Sequence, residues 1–340
     1  MKKLGIINKV IFLLNSIAAI LLLFSYLLQF IPPKTIAILS VLSLGVPFFM
    51  LINVIFFLYW LIKMKKQFML SLVILLIGYL FFGSLYKFSS SEKTNAENSI
   101  SVMNYNVRLF NLYNWIEEDD IELKIIDLIK SESPDILSLQ EYHPHKNINL
   151  SFFKYKYEKL SGNKAKYGQA IFSKFPIVNS GSIDFKSTSN NAIFADIVKG
   201  SDTIRVYNIH LESMRIDAEN QNFNEQESEL LLKRVIKTFK IQQSQTELFL
   251  EHKKLCKYKV IVSGDFNNTE FSYAYKQVKG DLTDAFKKAG SGFGKTYALK
   301  FFPVRIDFIL TDKDIEVNSF KTFDEKYSDH YPIKATLKLH

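Results

Sequence analysis

The chain has 340 residues, 48% of them hydrophobic, and a formal net charge of +9. That excess is no sign of a nucleic-acid-binding face. Eight lysines and no other charged residue precede Glu92, and the rest of the chain sets 35 basic against 34 acidic residues. The single cysteine, Cys256, excludes an intrachain disulfide and reads as a structural thiol just before an apolar strand.

Three apolar stretches open the chain, at residues 10–31, 36–62 and 68–86, and none contains a charge. A helix needs about 20 apolar residues to cross a bilayer, so these stretches predict three transmembrane helices. The first ends in Leu-Gln-Phe-Ile-Pro-Pro, without small residues for signal cleavage, and is expected to be retained. Lys2, Lys3 and Lys9 share one side of the membrane with Lys63, Lys65 and Lys66. The positive-inside bias then puts the N-terminus in the cytoplasm and the C-terminal domain on the outer, periplasmic or extracellular, face. The helices carry polar residues such as Asn15, Gln29 and Asn53 but no charge, which argues against a transporter.

A polar linker is expected at 89–99 and a single domain at 100–340. Apolar runs predict strands at 101–107, 135–140, 169–173, 192–198, 203–209, 259–263, 305–310 and 333–337. Helical spacing is found at 117–130 and across a long segment between Asn224 and Lys254. This alternation points to a layered α/β domain.

Polar residues of one kind recur at the strand ends: Asn106, Glu141, His210, Asp265 and Asn267 in Gly-Asp-Phe-Asn, Asp307 in Arg-Ile-Asp, and Asp329-His330 in Ser-Asp-His-Tyr-Pro. Carboxylate and amide oxygens are hard ligands that suit Mg²⁺, and Mn²⁺ satisfies the same set. Histidines contact phosphate or move protons near neutrality, and a neighbouring Asp supports their charge. Each residue alone is ordinary turn or surface chemistry. No cysteine pair, His-Glu-x-x-His run, Walker loop or Gly-x-Ser-x-Gly elbow is present, which argues against a zinc peptidase, a P-loop ATPase and a serine esterase of that type. His143 and His145 read as a surface loop. Lys233, Arg234, Lys237 and Lys240 read as a solvated helix face.

Taken in order, these six sites resemble the endonuclease/exonuclease/phosphatase superfamily, the deoxyribonuclease-I-like fold. The resemblance covers 100–340, with Gly-Asp-Phe-Asn and Ser-Asp-His-Tyr-Pro its most specific pieces. It implies a four-layer α/β sandwich behind the three transmembrane helices. It also implies metal-dependent hydrolysis of phosphodiester or phosphomonoester bonds by in-line attack of water. Glu141 would be the main metal ligand, helped by Asn106 and Asp329. Asp265 would position or deprotonate the water, and Asn267 would hold a phosphate oxygen, with Arg108 beside it. His330, oriented by Asp307, would stabilise the pentavalent phosphate or protonate the leaving oxygen, and His210 would act on the opposite side. The general base stays open among His210, His330 and Asp265. Arg108 and His210 look more like the deoxyribonuclease branch than the abasic-site repair branch, and His210 fits the sphingomyelinase-like branch too. Residues 167–176 resemble the family's Gly-x-Ala-Ile-x-Ser strand, with Gln169 where some members place an acid behind the first catalytic His. The implied substrate is a nucleic acid or a phospholipid head group. The near-neutral domain weakens the first, and anchoring in a lipid bilayer favours the second. The alternative is a catalytically inactive member serving as a membrane-tethered binding module.

Overall fold

The computed structural model describes residues 4–83, 85–88, 99–162, 166–186, 188–216, 225–299 and 302–339. Most of the expected linker therefore lies outside the described residues. Helix α1 (Ile6–Leu27) continues into a 3-10 turn, Leu28–Phe30. The second apolar stretch is α2 (Ala37–Ser40), a 3-10 segment at Val41–Gly45, and α3 (Val46–Ile62). The third is α4 (Phe68–Phe82). Two stretches, Ile6–Phe30 and Ala37–Ile62, are long and apolar enough to cross a membrane. The third differs from expectation. Gly83 takes φ +76° and ends α4 at Phe82, four residues early. Its 15 residues rise roughly 22 Å, against the roughly 30 Å of a bilayer core. Beyond it, Lys87 pairs with Gly292 through two backbone hydrogen bonds of 2.9 Å.

The three-helix region is apolar outside and polar within. Ile17, Ile20, Leu51, Ile55, Leu76 and Leu80 are exposed, whereas Asn15, Asn53 and Ser71 are fully buried. These buried groups bond one another across the helices. Asn15 Nδ2 donates to Ser71 Oγ (2.7 Å), Ser71 Oγ to Asn53 Oδ1 (3.3 Å), and Trp60 Nε1 to Asn15 Oδ1 (3.1 Å).

The remainder is built from twelve strands among the described residues. They are β1 (Ser99–Asn106), β2 (Ile136–Tyr142), β3 (Tyr155–Ser161), β4 (Tyr167–Ser173), β5 (Ile177–Asp184), β6 (Asn191–Lys199), β7 (Asp202–His210), β8 (Lys259–Asp265), β9 (Thr283–Asp284), β10 (Asp307–Thr311), β11 (Ile315–Thr322) and β12 (Ile333–Leu339). One sheet has the order β11-β12-β1-β2-β4-β3 and the other β5-β6-β7-β8-β10-β9. Among the described residues only β1–β2 and β7–β8 pair in parallel, and helices α5 (Ile121–Glu132) and α6 (Glu225–Lys254) make those two crossovers. The sheets face each other across a core that includes Val102, Ile136, Ile171, Val206, Ile261 and Ile309. Helix α5 covers the outer face of the first sheet with Ile121, Ile125 and Ile129. On the second sheet's outer face, α6 and the short α7 (Tyr273–Lys279) pack Phe249, Ala274 and Tyr275 against Val262 and Phe308.

Candidate active site

The inner faces of the two sheets change character along their length. On β1, Ile100 and Val102 give way to Asn104 and Asn106. On β2, Ile136 gives way to Ser138 and Gln140. On β7, Ile204 and Val206 lead to Asn208 and His210, and on β8, Ile261 leads to Ser263 and Asp265. A strand shows every second residue to one face, so each strand spells its own share of the site. The parallel pairings align these polar ends, with Asn106 opposite Gln140 and His210 opposite Asp265. Antiparallel β10 brings Asp307 opposite Asp265 from the other side.

A buried polar layer floors the site. Gln140 Nε2 donates to Asn104 Oδ1 (2.8 Å) and, across the sheets, to Asn208 Oδ1 (2.5 Å), while Ser263 Oγ donates to Ser138 Oγ (2.7 Å). Above it, His330 Nδ1 lies 2.9 Å from Asp307 Oδ2. His330 Nε2 and His210 Nε2 each lie 3.6 Å from Asp265 Oδ2. Asn106 Nδ2 donates to that same oxygen (3.0 Å) and toward Glu141 Oε1 (3.3 Å). Asp265 Oδ1 accepts from the Asn267 backbone N–H at 2.7 Å, and the Asn267 amide donates to the Leu211 carbonyl at 2.9 Å.

Local backbone strain aims three of these groups. Glu141 has φ +49°, Asn267 φ +49° and Arg108 φ +41°, all in the left-handed region that costs a non-glycine residue about 1 kcal/mol. Glu141 sits at a register shift between β2 and β4, which turns its carboxylate off the strand's alternation. Gly264 has φ +152°, and a Cβ there would lie 2.0 Å from the Ile209 carbonyl oxygen, so the residue before Asp265 has to be glycine.

The fold thus brings Asn106, Glu141, His210, Asp265, Asn267, Asp307, Asp329 and His330 together. Arg108 joins at one remove: its Nε is 3.4 Å from Asp329 Oδ2, and its guanidinium stacks 4.5 Å from the Trp115 ring centroid. Gln169 bonds to Asn191 Oδ1 (2.6 Å). His143 and His145 lie in a surface loop, and Lys233, Arg234, Lys237 and Lys240 are exposed. Arg305, the arginine of Arg-Ile-Asp, is structural. It is buried, 2.9 Å from Asp284 and 3.7 Å from Glu270, between the rings of Phe286 and Phe308. Sequence reasoning missed Asn104, Gln140, Asn208, Ser328, whose hydroxyl bonds the Asn106 carbonyl (2.9 Å), and Tyr297, whose ring lies 5.0 Å from His330. Asn104 and Asn208 carried a faint signal, being polar residues in phase with Asn106 and His210 of their own strands, whereas Gln140 is out of phase with Glu141.

The sequence matches the model of the endonuclease/exonuclease/phosphatase family over residues 103–330. The chain belongs to that family. Its members are phosphoesterases and nucleases, hydrolases acting on phosphate esters. Residues 8–85 match a second family, described only as a domain of unknown function. No curated protein matches the chain. Similar solved structures share the fold at low identity. An endonuclease/exonuclease/phosphatase family protein from Bacteroides thetaiotaomicron is 18% identical, covers 71% of this chain and 98% of its own, and superposes with a TM-score of 0.54. The human Nocturnin catalytic domain with bound sulfate is 19% identical, with coverages of 72% and 94% and a TM-score of 0.53. Danio rerio TDP2 complexed with a single-stranded DNA product is 16% identical, with coverages of 71% and 100% and a TM-score of 0.53.

The electrostatics of this family site split its two buried histidines. Burial lowers the pKa of both. At His330 the opposing charges of Asp307 and Asp265 win and hold it well above the ordinary value. At His210, burial outweighs the Asp265 charge and holds it below the ordinary value. Burial pushes Asp265 up to about 6, against the pull of the two histidines. Burial also raises Glu141, and the Asp329 charge adds to it, against His330, Asn106 and Arg108. At neutral pH a cationic His330 and a neutral His210 therefore flank the Asp265 carboxylate.

Family members typically depend on a divalent metal, and the donors here fit one. Among the described residues, ligating atoms of Asp265, Asp307 and His330 lie within 4.8 Å of one another. Asp265 and Asp307 already accept hydrogen bonds. Glu141 takes only the long contact from Asn106 Nδ2, and burial and the Asp329 charge raise its pKa, which a hard cation between oxygen ligands would relieve.

Proposed function

We propose that this chain is a membrane-anchored, divalent-metal-dependent phosphoesterase. Its substrate class is a nucleic acid or a phospholipid head group. The observation that carries the reading is the convergence on Asp265 Oδ2 of His210, His330 and Asn106, beside Glu141. A water held by Asp265 would pass a proton to that carboxylate and attack phosphorus in line with the scissile ester bond. The P–O bond breaks as the new one forms, and the leaving oxygen takes a proton. Cationic His330, fixed by Asp307, would stabilise the negative charge of the five-coordinate phosphate or supply that proton. Neutral His210 and the Asn267 amide would contact the other phosphate oxygens. Arg108 would steady Asp329 and add positive charge at the rim. Glu141, with Asn106 and Asp329, would hold Mg²⁺, or Mn²⁺, which when bound neutralises phosphate charge.

Two stretches long and apolar enough to cross a membrane support the anchoring, and α4 would complete a third span by local thinning of the bilayer and snorkelling of its flanks. An apolar exterior over a hydrogen-bonded polar interior is the reverse of a water-soluble bundle. Lys34 pairs with Glu247 of α6, so the α1–α2 connection adjoins the catalytic domain. The basic α3–α4 turn belongs to the opposite end, which fits a cytoplasmic N-terminus and an outward-facing domain. The test is hydrolysis of bis(p-nitrophenyl) phosphate by the full chain in detergent. Activity should vanish with EDTA, return with Mg²⁺ or Mn²⁺, and fall roughly 10²–10³-fold in His330→Ala. Folded protein without metal-dependent turnover of this diester sinks the reading.

A further inference from the structure

Glu141 borders two cavities. One, of about 310 Å³, is polar and aromatic, with Trp115, Tyr167, His210, Glu212 and Arg215. The other, of about 220 Å³, is lined by polar Asn267, Asp329 and His330 together with apolar Leu44, Met214, Ile216, Leu299 and Val304. Leu44 belongs to the N-terminal region, in the helical stretch Ala37–Ile62 that is apolar and long enough to cross a membrane. The catalytic cleft is therefore closed in part by a membrane-type segment. The apolar wall does not stop at Leu44. Val41, Leu44, Ile216 and Leu231 pack around Met214, Val235 and Phe239. Phe302, three residues after Leu299, packs edge-on against Phe48 at 6.3 Å between centroids, and Phe48 is itself exposed on α3. Leu230 on the first turns of α6 is 62% exposed. A hydrocarbon path thus joins the face of α3 to the reacting centre.

We propose that the cleft takes a phosphate ester bearing a hydrocarbon chain, drawn from the adjoining bilayer leaflet, with the chain along the Leu44 wall and the phosphate at Glu141 and His330. This rests on the phosphoesterase reading and narrows its substrate to the lipid class. A nucleic-acid strand offers nothing to a wall of Leu44, Ile216, Leu299 and Val304. A polar head group matches the first cavity, with its Arg215 and Glu212.

The test compares two diesters with the same leaving group, hexadecyl p-nitrophenyl phosphate and ethyl p-nitrophenyl phosphate, using the full chain in micelles. Burying two methylenes already corresponds to about a tenfold gain, so kcat/KM should favour the hexadecyl ester by roughly tenfold or more. Partition into micelles raises the preference of every variant alike, so dependence on Leu44 is the decisive reading. Leu44→Asp should lower the hexadecyl-to-ethyl ratio roughly tenfold below wild type, to what partition alone leaves, and the milder Leu44→Ala should lower it by a smaller factor. A wild-type ratio near one, an unchanged ratio in both variants, or faster turnover of a single-stranded DNA 12-mer than of the hexadecyl ester overturns the proposal while leaving a hydrolase in place. If no ester is hydrolysed, the hydrolase reading falls by itself. Binding of hexadecyl phosphate against ethyl phosphate then decides the chain site, with a Leu44-dependent preference of about tenfold supporting it and equal binding overturning it.

Discussion

At the scale of single residues, Asp265 makes a sharp demand on pH. Burial holds its carboxyl at about 6, so the ionised form that would activate water is lost as pH falls through that value. The expected outcome is an acid limb of kcat/KM centred near pH 6, with Asp265→Asn inactive across the range; a flat profile down to pH 4.5 contradicts it. Asp284, far from the chemistry, has the opposite sign. Burial would raise it, but the charges of Arg305 and Lys287 and hydrogen bonds from Tyr275 and Arg305 leave it below its ordinary 3.8. Its stabilising contribution is complete above that ordinary value and is lost as pH falls through the lower folded value. Asp284→Asn leaves the buried Arg305 poorly compensated, at a cost of about 3 kcal/mol. Thermal melts should show a lower midpoint at pH 7 and a weaker fall of the midpoint with acid than wild type. The site residues themselves were legible because they are chemically unusual at strand ends. Asn104 and Asn208 show only the alternation of their strands, and Gln140 not even that, because an amide has no further signature until its neighbours across the sheets are known. Arg305 was legible as a motif member and yet its role is packing, which only its burial reveals.

Secondary-structure elements divide the same way. Eight strands are apolar enough to be read from the chain, and all lie inside their sheets. The four unread ones, β3, β5, β9 and β11, are the four edges. An edge strand buries less, as the mostly half-exposed residues of β3 and β5 illustrate, so its sequence lacks the apolar signal and leans on a partner for its hydrogen bonds. The length of α4 was misread for a related reason. Composition continues apolar through Tyr86, while the stop is a backbone event at Gly83. The interior of the three-helix region makes its own prediction. Asn53 donates to the Ala18 and Phe49 carbonyls and accepts from Ser71, tying α3 to α1 and α4. Asn53→Leu should lower the thermal midpoint in detergent by an amount equivalent to about 1–2 kcal/mol and leave turnover of a soluble diester intact. An unchanged midpoint means that the network contributes nothing net. On β8, Gly264→Ala drives a methyl into the Ile209 carbonyl, and the expected result is chain that fails to fold, seen as insoluble or protease-sensitive product.

For the molecule as a whole, the N-terminal helices and the catalytic domain are packed together rather than merely strung on one chain. The sequence suggests a tether. The structure has Phe271, six residues after Asp265, buried to 1% among α1, α3 and α4, with its ring 5.0 Å from Phe82. Lys34 reaches α6 through Gln243 at 2.7 Å and through Glu247, and Lys87 pairs with Gly292. The loop that carries Asp265 and Asn267 is therefore continuous with an anchor inside the helical bundle. That coupling gives one substitution two opposite outcomes. In the full chain, Phe271→Asn removes a buried aromatic and should lower the melting midpoint by the equivalent of about 3 kcal/mol. In residues 99–340 alone the same side chain has lost its cover, so Phe271→Asn should cost nothing and should reduce aggregation, read by light scattering at equal concentration. A tethered, independent domain would respond identically in both backgrounds. A shift of the same sign and size in each would show that the helices only hold the domain near the bilayer and take no part in shaping it.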